Sequence, residues 1–135
     1  MKGERDLTAL LRHMKPELRP GIFVFCTIAA NEGVPAAFNP LLMFREQEGT
    51  TLVMPREEAE AAGLRYAFPA RLITLTVHSA LDAVGFLAAI TARLAEAGIS
   101  VNAVSAFHHD HLFVPADRAD EVMMLLQEIS DAKPL

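Results

Sequence analysis

Residues 51–59 read TLVMPREEA, and residues 111–119 read HLFVPADRA. The two stretches align at an offset of sixty, each an apolar strand running into a proline, an acidic helix start and an alanine. Outward from them, a second pair of strands, IFVFCTI at 22–28 and LITLTVH at 72–78, aligns at an offset of fifty. The ten-residue difference falls between the first and second strands of each copy. In the second copy that interval predicts a helix over 82–97, with Leu87, Ile90 and Leu94 as its inner stripe and Gly98 as its stop. In the first copy it holds residues 31–40, interrupted by Gly33, Pro35 and Pro40, which leaves room for a turn of helix at most. The order strand, helix, strand, strand, helix is therefore written twice, the first copy with its first helix reduced. The expected division is 1–69 and 70–135.

The remaining elements follow from local patterns. Leu7, Leu10, Leu11 and Met14 recur at helical spacing behind Asp6, an N-cap residue, and Pro16 and Pro20-Gly21 end that helix. It is expected to cover the face vacated by the reduced helix. The run 22–28 lacks polar alternation, as in a strand covered on both faces. Residues 41–45 and 50–54 form a hairpin, and Pro55 opens a short helix over 56–62 that Gly63 stops. Residues 72–78 alternate, with Ile73, Leu75 and Val77 on one face and Thr74, Thr76 and His78 on the other, as in a half-buried strand. Strands over 99–106 and 111–114 are joined by a turn near His108-His109-Asp110. After Pro115 comes a last helix with Ala119, Val122, Leu126 and Ile129 on one face.

Composition narrows the function classes. The 135 residues are 52% hydrophobic and 21% charged, enough apolar material for a core and too much for a disordered chain. Twelve Lys and Arg against seventeen Asp and Glu give a net charge of −5, and no basic run stands out, so no nucleic-acid partner is expected. Cys26 is the one cysteine, which excludes an internal disulfide and agrees with a reducing compartment. Neither a signal-peptide layout nor an apolar run near the ~20 residues of a spanning helix occurs, so no membrane partner and a cytoplasmic location are expected.

Three stretches of the second half carry a resemblance: HSALDAVGFL at 78–87, LAEAGISVN at 94–102 and HLFVP at 111–115. They resemble an ACT domain, the small ferredoxin-like βαββαβ module that binds amino acids and other small effectors. With the degenerate first copy included, the whole chain resembles short bacterial proteins of two tandem ACT-like units, and is similar to the regulatory modules of aspartokinases and cytosolic arginine sensors. The resemblance implies an α+β ferredoxin-like fold, duplicated. It also implies that the Gly-containing loop, together with the second-strand position held here by Asn102, lines an effector site at a domain or subunit interface.

The residues of that loop support the same chemistry. Ser79 with Asp82 three positions on resembles a capping box ahead of an apolar helix. A helix N-terminus attracts a carboxylate, Asp82 offers a charge for an α-ammonium, and Gly85 removes a side chain that would block approach. The candidate ligand-binding residues are Ser79, Asp82, Ala83, Val84, Gly85, Phe86 and Asn102. Capping and close helix packing explain the same letters without a ligand.

Other polar groups are read more plainly. His108, His109, Asp110 and His111 have the residue types of a metal site, but no helical pair spaced for chelation joins them, so a solvated hairpin is expected, with a pH-dependent interface contact as the alternative. Glu32, Glu46 and Glu48 read as solvated turn residues. There is no nucleophile elbow around Ser79, no electropositive neighbour to Cys26 and no phosphate-binding glycine loop, so neither catalysis nor a cofactor is expected. Phe23, Phe25, Phe44 and Phe86 are expected to be core or interface residues rather than a stacking platform. The expectation is a non-enzymatic regulatory module binding a small amino acid and assembling as a homodimer. The alternative is a structural or protein-interaction module with a vestigial site.

Overall fold

A computed structural model describes residues 3–132. By its internal contacts the chain divides into two units: Gly21–Ala70 form the smaller, and the segments on either side of it form the larger.

The smaller unit contains β2 (Phe23–Ala29), β3 (Leu42–Arg45), β4 (Gly49–Pro55), α2 (Arg56–Ala61) and the first residues of β5 (Ala67–Leu75), following α1 (Leu7–His13) and β1 (Pro16–Leu18) in the chain. Its strands lie in the order β3-β4-β2-β5, with β2 antiparallel to both neighbours. The predicted hairpin and the short helix behind Pro55 are both present, and residues 31–41 contain no helix. On β2 the burial alternates. Val24, Cys26 and Ile28 enter a core with Leu52, Met54 and Ala59, whereas Phe23 and Phe25 are half-buried and Thr27 is exposed. The expected two-sided cover is thus one-sided, and the Phe25 ring instead packs edge-on against Phe68 at 5.9 Å between centroids. Phe68 sits at φ 57° where the β2–β5 register shifts, a bulge that apolar patterning does not announce.

The larger unit contains α1, β1, the end of β5, α3 (Phe86–Glu96), β6 (Asn102–Ser105), β7 (Asp110–Pro115), one 3-10 turn (Ala116–Arg118) and α4 (Ala119–Asp131). Its strand order is β1-β5-β7-β6. Leu10 and Met14 of α1, Phe86, Ile90 and Leu94 of α3, and Val122, Leu125 and Leu126 of α4 meet Ile73, Leu75, Leu112 and Val114 of the sheet in one core. Asp6 caps α1 as read, accepting from the Ala9 amide at 2.9 Å.

Several expectations change here. The N-terminal helix, expected to belong to the first copy, packs within the larger unit. Its two fully buried side chains belong to the core of the larger unit, and the Ser130 hydroxyl donates to the carbonyls of Arg12 at 3.0 Å and Met14 at 3.2 Å. Residues 16–18, read only as a helix stop, are a strand pairing antiparallel with β5 (Pro16↔Leu75, Leu18↔Ile73). Proline opens it, a position where the missing N–H is tolerated. The strand expected over 72–78 ends at Leu75, where the Val77 amide folds back onto the Leu75 carbonyl at 2.8 Å. It is also buried on both faces, Thr74 included, rather than half-buried. The Thr74 hydroxyl, paired with His111 Nδ1 at 3.0 Å and accepting from Arg19 Nε at 3.3 Å, meets the need of a buried polar group for partners.

Candidate functional site

The helix predicted over 82–97 starts four residues later. Residues 80–83 form a turn, with the Ala83 amide on the Ala80 carbonyl at 3.0 Å, and Gly85 at φ 92° is the N-cap of α3. Only glycine enters that left-handed conformation without strain, so it sets where the helix begins. Neither Ser79 nor Asp82 caps it. The Ser79 hydroxyl donates to the Ala80 carbonyl at 3.3 Å, and Asp82 accepts both prongs of the Arg5 guanidinium at 2.9 and 3.0 Å. Among the described residues no side chain caps α3, so its first turn presents free backbone donors at the positive end of the helix dipole.

That turn opens on a cavity of about 120 Å³, bounded by Ser79, Ala80, Leu81, Ala83, Gly85 and residues 86–88 on one side and by Ser105, Ala106 and Asp110 on the other. Asp110 is only 6% exposed. It starts β7 on the same face as Leu112 and Val114, and the Ser105 hydroxyl across the hairpin donates to its Oδ1 at 2.6 Å. A buried carboxylate and an uncapped helix start thus border one small space.

Of the residues named from sequence, Ser79, Ala83, Gly85 and Phe86 line this cavity. Asp82 lines a neighbouring one of about 260 Å³ with Arg5, His78 and Phe107. Val84 points to solvent at 84% exposure, and Asn102, on the edge strand β6, is exposed and lines neither. Sequence reasoning missed Ser105 and Asp110. The available signal was alternation along 110–114, which puts Asp110 on the inward face with Leu112 and Val114.

The four clustered histidines form a chain of rings, His78 to His108 at 5.8 Å, His108 to His109 at 6.4 Å and His109 to His111 at 6.4 Å. Among the described residues no three His, Cys, Asp or Glu side chains are placed to hold one metal ion. Burial pushes the His111 pKa down, His109 and Arg19 add to the shift, and Asp110 opposes it. Burial likewise pushes the Cys26 thiol up. No helix among the described residues is long and apolar enough to cross a membrane.

Comparison with known proteins agrees with this architecture. Two family models described as ACT domain match residues 2–71 and 67–128. The chain is similar to VC0802 of Vibrio cholerae, a protein of unknown function described as a possible transport protein. Identity is 43% over 93% of this chain and 96% of that one, with a TM-score of 0.83. A protein from Agrobacterium tumefaciens, Atu0741, shares the fold at 21% identity over 87% of this chain and 89% of that one, TM-score 0.74. So does a structure of aspartokinase alpha and beta subunits, at 10% identity over 87% of this chain and 97% of that one, TM-score 0.62. No curated protein matches the sequence. Two matched segments that together span nearly the whole chain, on an α+β fold of antiparallel sheets, place this protein in the ACT-domain family, as a tandem of two such units.

Proposed function

We propose that the chain is a non-catalytic regulatory module whose effector is a small α-amino acid, held in the cavity between the first turn of α3 and Asp110. The observation that carries this reading is the pairing of opposite charges across one small space. The uncapped helix start suits an α-carboxylate, and the buried Asp110 carboxylate suits an α-ammonium. Asp110 takes the role that the sequence offered to Asp82, because Asp82 is already held by Arg5. The volume of about 120 Å³ favours amino acids with short side chains. Ser79, Ala83, Gly85 and Phe86 form the wall on the helix side. Cytoplasmic location and homodimeric assembly remain part of this proposal.

Exposed Leu81, Val84 and Phe107 near the cavity favour the second reading, a protein-interaction module whose ligand site is vestigial. Thermal unfolding of the full chain with each of the twenty amino acids separates the two. A ligand that binds only the native state raises Tm, by about 2.7 kcal/mol of added stability at a hundredfold excess over Kd. At least one small amino acid is expected to do so, with the effect abolished in Asp110→Asn. A flat response across all twenty at millimolar concentration overturns the effector reading.

A further inference from the structure

The sequence is acidic, yet the larger unit carries a cluster of basic side chains that have no acidic partner among the described residues. Arg12 and His13 end α1, Lys15 follows two residues after it, and the three border a groove of about 780 Å³, together with Thr76, Gln127 and Ser130. No described residue lining the groove is acidic. Among the described residues Arg12, His13 and Lys15 form no ion pair, whereas Arg5, Arg19, Arg56, Arg93 and Arg118 each have a carboxylate partner. Within α4 the Asp131 carboxylate accepts from Gln127 Nε2 at 3.0 Å.

Cations in the last turn of a helix ordinarily serve its end carbonyls. Here the carbonyls of Arg12, at the end of α1, and of Met14 and Lys15 just beyond it have other donors. The Ser130 hydroxyl serves Arg12 and Met14, the Thr76 amide serves Lys15 at 2.9 Å, and the Thr76 hydroxyl donates to Lys15 as well. These bonds fasten residues 12–15 to α4 and to the residue after β5, and among the described residues the side chains of Arg12, His13 and Lys15 make no hydrogen bond or ion pair.

We propose that this groove is a second binding site, taking a small molecule that carries a phosphate or diphosphate group. Its volume lies within the range of about 300–1,000 Å³ usual for small-molecule sites and is well above that of the cavity beside α3. A guanidinium matches phosphate oxygens two at a time, and an ammonium adds a point charge. The two cations Arg12 and Lys15 confined to one groove, with the His13 ring beside them, suit a compact multiply charged anion. A nucleic acid would need a basic track, which this chain of net charge −5 does not have.

The test uses the full chain at low ionic strength, titrated with inorganic pyrophosphate and followed by amide NMR and calorimetry. Saturable shifts are expected at residues 12–15 and 127–130. Arg12→Gln/Lys15→Gln, both at exposed positions, should weaken binding about tenfold or more. Arg45→Gln/Arg65→Gln, which removes the same charge from exposed positions of the smaller unit, should leave Kd within about twofold. Absence of saturable shifts up to about 10 mM pyrophosphate, or equal weakening by both double variants, overturns the site. Neither outcome bears on the amino-acid cavity, whose lining shares no residue with this groove.

Discussion

Arg5 and Asp82, 77 residues apart in the chain, meet in a two-pronged ion pair, Nε to Oδ1 at 2.9 Å and Nη2 to Oδ2 at 3.0 Å. Around it the backbone of residues 3–5 lies along the loop before α3. The Glu4 amide donates to the His78 carbonyl at 2.7 Å, and the Ala80 amide donates to the Glu4 carbonyl at 2.9 Å. Gly3 is required for that approach, since a Cβ there would lie 2.5 Å from the Ala80 nitrogen. Gly3→Ala is expected to lift this segment and speed hydrogen exchange of the Ala80 amide. Unchanged exchange would show that the contact contributes no protection.

The same pair sets a pH dependence. Hydrogen bonding and charge from Arg5 hold the Asp82 carboxyl below its usual 3.8, so its contribution is present above that value and is lost as pH falls through the folded-state pKa. In Arg5→Ala the Asp82 titration should move upward, followed by carboxyl-carbon NMR. The pair is exposed, so the change in overall stability at neutral pH should be small.

His111 predicts an effect at milder pH. Its folded pKa lies below 6.5, chiefly through burial, so the unfolded chain takes up a proton first and stability falls as pH drops from about 6.5 toward the folded value. Urea midpoints measured from pH 7.5 downward should show this decline, and His111→Gln should lose that component. The glutamine amide can still pair with the Thr74 hydroxyl, which keeps the comparison from resting on a broken hydrogen bond.

Ser105 is expected to matter through Asp110. Removing its hydroxyl takes a donor from a buried carboxylate, a loss of about 1–3 kcal/mol. Chemical denaturation of Ser105→Ala, Asp110→Asn and the double variant should show non-additivity, because both singles break the same bond. Strict additivity would mean that the two side chains act independently.

Leu10 tests where the N-terminal helix belongs. It is fully buried in the core of the larger unit, so Leu10→Ala should cost about 2–5 kcal/mol by the usual large-to-small rule. Met124→Ala, at an exposed position of α4, should change stability by less than about 0.5 kcal/mol. A loss at Leu10 no greater than at Met124 would contradict the packing of α1.

Much of this architecture is local information. Two copies of strand, proline and helix, the Asp6 cap, the hairpin over 42–55 and the inward stripe Ile90–Leu94 all follow from periodicities that a few consecutive residues display. Other features depend on which distant segment arrives alongside. Residues 16–18 are too few to carry a strand pattern and become β1 only because β5 offers an edge. Asp82 has the letters of a cap or an ammonium ligand and becomes neither once Arg5 reaches it. Asp110 resembles a turn residue until the hairpin register places it opposite Ser105, facing the uncapped start of α3. The sequence by itself determined most of the elements, their order and the apolar stripes of the helices, because side-chain periodicity is set by the geometry of each element alone. The tertiary structure decided which charges are already paired and which still face open space, because that depends on contacts between residues far apart in the chain.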